Sequence, residues 1–177
     1  AACVLSLTAS AAEDTGFGAR TVQPEAYAFT VGKSKAAALH DAQFVIPNDG
    51  KSFVVGQTPD ATAQVLRAAG APTDRITLSV NALLLRSGKR VMLVDCGLGE
   101  AMNGATLASL KAAGVQPAQV TDVLLTHTHF DHYGGLLDAK GGLVFPNATV
   151  RLSAKEWAWM QEKDEKAKLF ASKVQAF

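Results

Sequence analysis

Between Thr126 and Gly135 the chain reads Thr-His-Thr-His-Phe-Asp-His-Tyr-Gly-Gly, a run that carries three of its four histidines. Immediately upstream, Val120-Thr121-Asp122-Val123-Leu124-Leu125 is β-branched and aliphatic and reads as a buried strand. The cluster therefore falls where a strand ends and the chain turns, a place where side chains can converge on one point. Imidazole nitrogens and carboxylate oxygens are the donors preferred by zinc and similar borderline divalent metals. In extended backbone side chains alternate, which starts His127, His129 and Asp131 on one face. His132 starts on the other face unless a helix begins beneath it. Gly134-Gly135 lets the backbone pass close to a metal or a neighbouring strand with no Cβ in the way. Four candidate ligands within six positions, directly after an apolar strand, argue against a chance cluster on a solvated loop.

The run His127-Thr128-His129-Phe130-Asp131-His132-Tyr133-Gly134-Gly135 resembles, in full, the metal motif of the metallo-β-lactamase-fold hydrolase superfamily, His-x-His-x-Asp-His followed by x-Gly-Gly. Upstream, Asn81 to Leu85 and Val91 to Gly97 resemble that family's paired strands ending in an Asp-x-Gly element. Leu110 to Val115 and Val120 to Val123 are similar to its helix-then-strand lead, and Ser153 to Trp157 to the helix start that follows. The likeness runs from about Tyr27 to the end. It implies an α/β fold, the N-terminal half of an αβ/βα sandwich with metals at the sheet edge. It also implies two divalent metal ions, zinc being expected, with His127 and His129 on the first and Asp131 and His132 on the second. His40-Asp41 sits where the family often has an Asp near the rim of the site. His40 itself reads as a strand-end polar residue, because no partner is clustered with it.

With 177 residues the chain is long enough for one domain with a real core. Its 17 basic and 16 acidic side chains leave a net charge of +1 and no long like-charge block, so nothing in the charge pattern argues for a nucleic-acid partner. No apolar run reaches membrane-spanning length. The expected partner is a small-molecule substrate. Residues 1–11 read as the remnant of a secretory signal peptide, with Ala9-Ser10-Ala11 as a small-x-small cleavage site ahead of Glu13-Asp14. That places the protein in a secreted or periplasmic setting. Residues 12–24 read as a linker, and 25–177 as the N-terminal part of the domain. Cleavage after Ala11 would leave Cys96 as the sole cysteine, unable to form an internal disulfide. Its place beside Asp95 reads as a small buried side chain near the metal loop.

Along the domain, Tyr27 to Val31 and Lys35 to His40 read as a hairpin about Gly32-Lys33-Ser34, and Phe44 to Gly50 as a short apolar run closed by a turn. Pro59 to Ala69 reads as a helix stopped by Gly70 and Pro72. Ile76 to Arg86 and Arg90 to Asp95 form a second hairpin, apolar enough to be covered on both faces. Thr106 to Ala113 and Asp131 to Leu137 read as helices, and Thr149 to Leu152 as a strand. Ser153 is the expected N-cap of a helix over Ala154 to Lys163, with Glu156 at the capping-box position. Trp157 and Trp159 lie two apart on it and point to different faces. Lys163 to Phe177 reads as charged and helix-like, with no closing strand.

A catalytic zinc usually takes three protein ligands and keeps an open position for water. The motif supplies four ligands for two metals and no histidine follows His132, so the sequence reads as an N-terminal fragment, inactive or impaired alone. For the complete protein the expectation is a metallo-hydrolase that turns a metal-activated hydroxide on an ester, lactone or related bond. Asp131 is the candidate catalytic residue, holding the second metal, orienting the hydroxide and passing a proton to the leaving group. Asp95 is expected behind the imidazoles, fixing them or the motif loop by hydrogen bonds, with the capping of its own turn as the alternative role. The Leu-Lys-Ala-Ala-Gly-Val-x-Pro lead resembles the branch holding quorum-quenching lactonases and organophosphate hydrolases. The rivals are a β-lactamase, a glyoxalase II-type thioesterase and, in another class, a mononuclear iron persulfide dioxygenase. A binding module on a decayed fold is disfavoured by retention of all four motif ligands.

Overall fold

The computed structural model describes residues 18–177, so the expected leader remnant (1–11) and the first part of the linker lie outside the described residues. The strands are β1 (Gly18–Thr21), β2 (Ala26–Val31), β3 (Ser34–Pro47), β4 (Arg75–Ser87), β5 (Arg90–Val94), β6 (Asp122–Leu124), β7 (Thr149–Leu152) and β8 (Val174–Ala176). The helices are α1 (Pro59–Ala68), α2 (Thr106–Ala112), α3 (Phe130–Tyr133), α4 (Ala154–Lys163) and α5 (Ala167–Phe170), with short 3-10 turns between them. Among the described residues the strands form one eight-stranded sheet, ordered β1-β3-β4-β5-β6-β7-β8 with β2 pairing to β3. β2 with β3 and β4 with β5 are antiparallel hairpins. From β5 through β8 all pairs are parallel, each crossover carrying helix.

The described residues divide into two compact units, residue 18 with Val45–Ile76 and Ala19–Phe44 with Thr77–Phe177. In the first, α1 starts as its sequence dictates. Thr58 caps it by accepting the Ala61 N–H at 3.2 Å, and Pro59 takes the first-turn position where no N–H is needed. Asn48 Nδ2 ties the ends of this segment, donating to the carbonyls of Pro59 and Thr73, each at 2.9 Å.

In the second unit, one ladder of side chains makes the core. Leu84 faces Leu93, Leu93 faces Val123 and Val123 faces Val150, all almost completely buried. Leu110 of α2, Met160 of α4 and Phe170 of α5 close over the cluster, each with no exposed surface. Burial of such a side chain contributes roughly 1.5–3 kcal/mol, which makes this ladder the main anchor of the parallel strands. The neighbouring positions Leu83, Leu85, Met92, Val94 and Leu124 fall on the opposite face and are only partly buried. No helix among the described residues is long and apolar enough to cross a membrane.

Several local expectations change. Gly18–Thr21 of the expected linker is a strand. The start of the Phe44 run, Phe44 to Pro47, is the end of one 14-residue strand, β3. The segment after Lys163 does end in a strand, β8, which pairs in parallel with β7 through Val150 and Val174. Three residues with two exposed side chains carry too little alternation to read as a strand from sequence; backbone bonds to Leu152 and Ala154 hold Phe177 there.

Candidate metal centre

Three neighbouring parallel strands deliver the site. β5 ends into Asp95, β6 into Thr126 and His127, and β7 into Ser153 and the first turn of α4. Carboxyl ends of parallel strands are where open α/β sheets build their sites. Asp95 is non-glycine backbone held at φ 58°, a conformation sustained only where surrounding contacts fix it. Its Oδ1 accepts the Thr126 N–H and its Oδ2 the Thr126 hydroxyl, both at 2.8 Å, and Oδ2 also lies 2.9 Å from His132 Nδ1.

These contacts decide which nitrogens are free. A carboxylate only accepts, so His132 donates its Nδ1–H to Asp95 and directs Nε2 into the motif, where the neutral ring would carry its lone pair. The Thr126 hydroxyl spends its proton on Asp95, so at 3.1 Å it accepts from His127 Nδ1, and His127 likewise presents Nε2.

The helix α3 begins at Phe130 beneath the motif, and this swings His132 back toward the others. Its ring centroid stands 3.8 Å from that of His127, which is 4.7 Å from that of His129. His127 Nε2 faces His129 Nδ1 at 3.0 Å, and His132 Nε2 faces Asp131 Oδ2 at 3.4 Å. The motif thus resolves into two pairs of facing donors, the grouping His127 with His129 and Asp131 with His132. A lone pair set against a lone pair or a carboxylate is repulsive unless a proton or a cation lies between them. Imidazole nitrogen and carboxylate oxygen are the donors a borderline divalent ion takes, so the residues fit such an ion. Each pair supplies two donors, and among the described residues no group of three or more such side chains gathers about one point.

Below the histidines the backbone is packed without side chains. A Cβ on Gly135 would meet the Cys96 carbonyl oxygen at 2.1 Å, and one on Gly134 the Leu98 carbonyl oxygen at 2.4 Å. Close approach to the loop after β5 requires the absence of a Cβ at both glycines. Cys96 lies under that loop, its N–H donating to the His132 carbonyl at 2.8 Å. Its thiol is fully enclosed, and burial, with Asp95 adding to it, pushes its pKa up. Asp41 is completely buried and holds the Leu98 N–H, the Thr106 N–H and the Thr106 hydroxyl at 2.6–2.8 Å. It shapes the loop after β5 through these bonds. His40 lies apart, lining a separate depression with Glu25, Tyr27 and Asn81.

Two further residues border the motif, Glu156 and Trp159. Ser153 caps α4 by accepting the Glu156 N–H at 3.2 Å. The other half of the expected capping box is missing, because the Glu156 carboxylate reaches across to Thr128. Its Oε2 accepts the Thr128 N–H at 2.8 Å and the hydroxyl at 2.5 Å, and that hydroxyl bond, more than any other contact, lowers the Glu156 pKa. Trp157 packs on Phe170, while Trp159, half exposed, lines an opening of about 370 Å³ with His127, Thr128, His129 and Glu156.

A family model for the metallo-beta-lactamase superfamily matches residues 75–170, just over half of the chain. Ribonuclease Z of Mycobacterium avium (strain 104) is 38% identical over 73 residues, which are 41% of this chain and 24% of that protein. Among solved structures, a hydrolase of the beta lactamase superfamily, AbOPH, is 27% identical with a TM-score of 0.76, covering 89% of this chain and 62% of that one. AidC, a dizinc quorum-quenching lactonase, aligns with a TM-score of 0.79 and 23% identity, covering 87% of this chain and 61% of that one, a likeness of fold. The chain spans about a quarter of the length of the curated relative and about three fifths of the two solved structures.

Proposed function

The chain belongs to the metallo-β-lactamase superfamily, and from that premise we propose that it acts as a metal-dependent hydrolase on an ester, lactone or related bond of a small molecule. The observation that carries this reading is the facing of His127 Nε2 and His129 Nδ1 at 3.0 Å beside the His132–Asp131 pair. Zinc or a similar divalent ion bound there would polarise the scissile carbonyl and bring the pKa of water toward neutrality.

What the chain itself contributes is orientation. His127 and His129 would hold one ion, Asp131 and His132 a second. Asp95 keeps His132 in the tautomer that leaves Nε2 free, and through Thr126 it does the same for His127. Asp131, with its carboxylate 30% exposed, would take a proton from the attacking water and return it to the leaving group. Trp159 and the opening beside the histidines offer an apolar wall for an acyl or aryl portion of the substrate.

Similarity to the hydrolase AbOPH supports hydrolysis, and AidC, a lactonase, shares the fold. The ribonuclease Z likeness raises RNA as a second substrate class, against which stands a net charge of only +1.

The test is metal content by elemental analysis after loading with Zn(II), Co(II) or Fe(II), followed by assay against aryl esters, thioesters, acyl-homoserine lactones, a phosphotriester, a chromogenic β-lactam and structured RNA. Bound zinc is expected, with ester or lactone turnover in the complete protein. No bound ion under any loading would sink the proposal, and a single iron with oxygen uptake would replace it by a dioxygenase.

A further inference from the structure

We infer that Glu156 is a positioning residue of the metal loop, holding Thr128 so that the flanking His127 and His129 keep their donor nitrogens together. The inference rests on the divalent-ion reading above. Thr128 sits between the two imidazoles in sequence, and in extended backbone its side chain points away from theirs. It is buried, with 6% of its surface exposed, and one carboxylate oxygen takes both its N–H and its hydroxyl. A residue gripped at both backbone and side chain cannot rotate without carrying its neighbours.

The opposite end of the same loop is gripped in the same way. Thr126 gives its N–H and hydroxyl to Asp95, which comes from the end of β5, whereas Glu156 comes from the turn after β7. The loop leaving β6, which lies between those two strands, is thus clamped from both sides by carboxylates, on alternate residues, with His127 between the clamps and His129 just beyond. Ser153 caps α4 through the Glu156 N–H alone, and the Glu156 carboxylate turns to Thr128 in place of closing the capping box. The competing explanation is that an acid in the first turn of α4 only favours the helix dipole. That role would act on the helix and leave the ion untouched.

The two are separated by titrating the chain and its variants with Zn(II) against a chromophoric chelator, recording the Co(II) d–d absorption, and following thermal unfolding without metal. Glu156→Ala should weaken ion binding about 10–100-fold and shift the Co(II) bands, as loss of a partner behind a ligand does. Glu156→Gln keeps an amide oxygen that accepts both Thr128 bonds, so it should restore most of the affinity. Thr128→Ala, which leaves α4 untouched, should lose roughly fivefold, the loss of one hydrogen bond. It carries the test should Glu156→Ala not fold. Parent-like affinity and spectrum in Glu156→Ala or Thr128→Ala would overturn the positioning role. So would a Gln variant that loses the ion as fully as the Ala variant. A parent chain that takes up neither Zn(II) nor Co(II), or a His129→Ala variant that binds as the parent does, would instead overturn the divalent-ion reading itself.

Discussion

Gly135 controls how near two stretches of backbone can lie beneath the histidines. With no Cβ, its chain runs against the Cys96 carbonyl, and its N–H donates to the Gly97 carbonyl at 3.1 Å. The same Cys96 donates its N–H to the His132 carbonyl, so the glycine contact and the placement of a candidate ligand share one residue. Gly135→Ala would put a methyl group 2.1 Å from a backbone oxygen, which no side-chain rotation relieves. We expect a loss of about 1–3 kcal/mol in urea unfolding, typical of overpacking, together with weaker ion uptake because the Cys96–His132 bond must shift. An alanine variant with unchanged stability and ion binding would show that the loop yields freely there.

At the scale of elements, the start of the parallel sheet is fixed by charge. Asp122 opens β6 with only 5% of its side chain exposed, and it receives Arg90 from β5 at 2.7 Å and Arg151 from β7 at 2.7 Å. The Arg90 guanidinium holds the Asp122 carboxyl well below the usual aspartate range, with Arg151 and Thr121 adding to it against burial. Because folding lowers this pKa, the stabilisation is fully present above the unfolded value of about 4 and is lost as pH falls through the lower folded value. Asp122→Asn should therefore cost about 1.5–3 kcal/mol at pH 7, the range for hydrogen bonds to a charged group. The difference from the parent should narrow as urea titrations are taken to pH 3 and below; a constant difference would exclude the ionic origin.

Elements of this kind were visible to different degrees. The hairpins, α1, α2 and α4 follow from periodicity and caps, and the motif is legible because its four side chains are contiguous in sequence. Glu156 was legible only as a helix cap. Its partner Thr128 is 28 positions away, and the two meet because β6 and β7 are parallel neighbours, a fact of topology that no local pattern encodes. β8 is too short to announce itself, and its pairing depends on the edge that β7 leaves open.

Across the whole molecule, the candidate ion site is a junction between elements that the core ladder holds only from below. Asp95 follows β5, the histidines follow β6, and Glu156 follows β7, so anything that unites the histidines also ties those strand ends together. An ion bound to the folded chain alone stabilises it by RT ln(1 + [ion]/Kd), about 2.7 kcal/mol at a hundredfold excess over Kd. For a chain of this length that corresponds to a rise of roughly 5–10 °C in melting temperature. The rise should grow with the logarithm of Zn(II) concentration and reverse on chelation. His127→Ala, which leaves only the Asp131–His132 pair, should cut the rise markedly while leaving the metal-free melting temperature near that of the parent, since this side chain contributes donors and not core. Asp122→Asn should lower the metal-free melting temperature and keep the rise, because it loosens the opposite end of β6. Should His127→Ala and the parent gain equally from zinc, the ion would be binding elsewhere, and the junction at the strand ends would be a structural clasp of carboxylates and threonines without a metal.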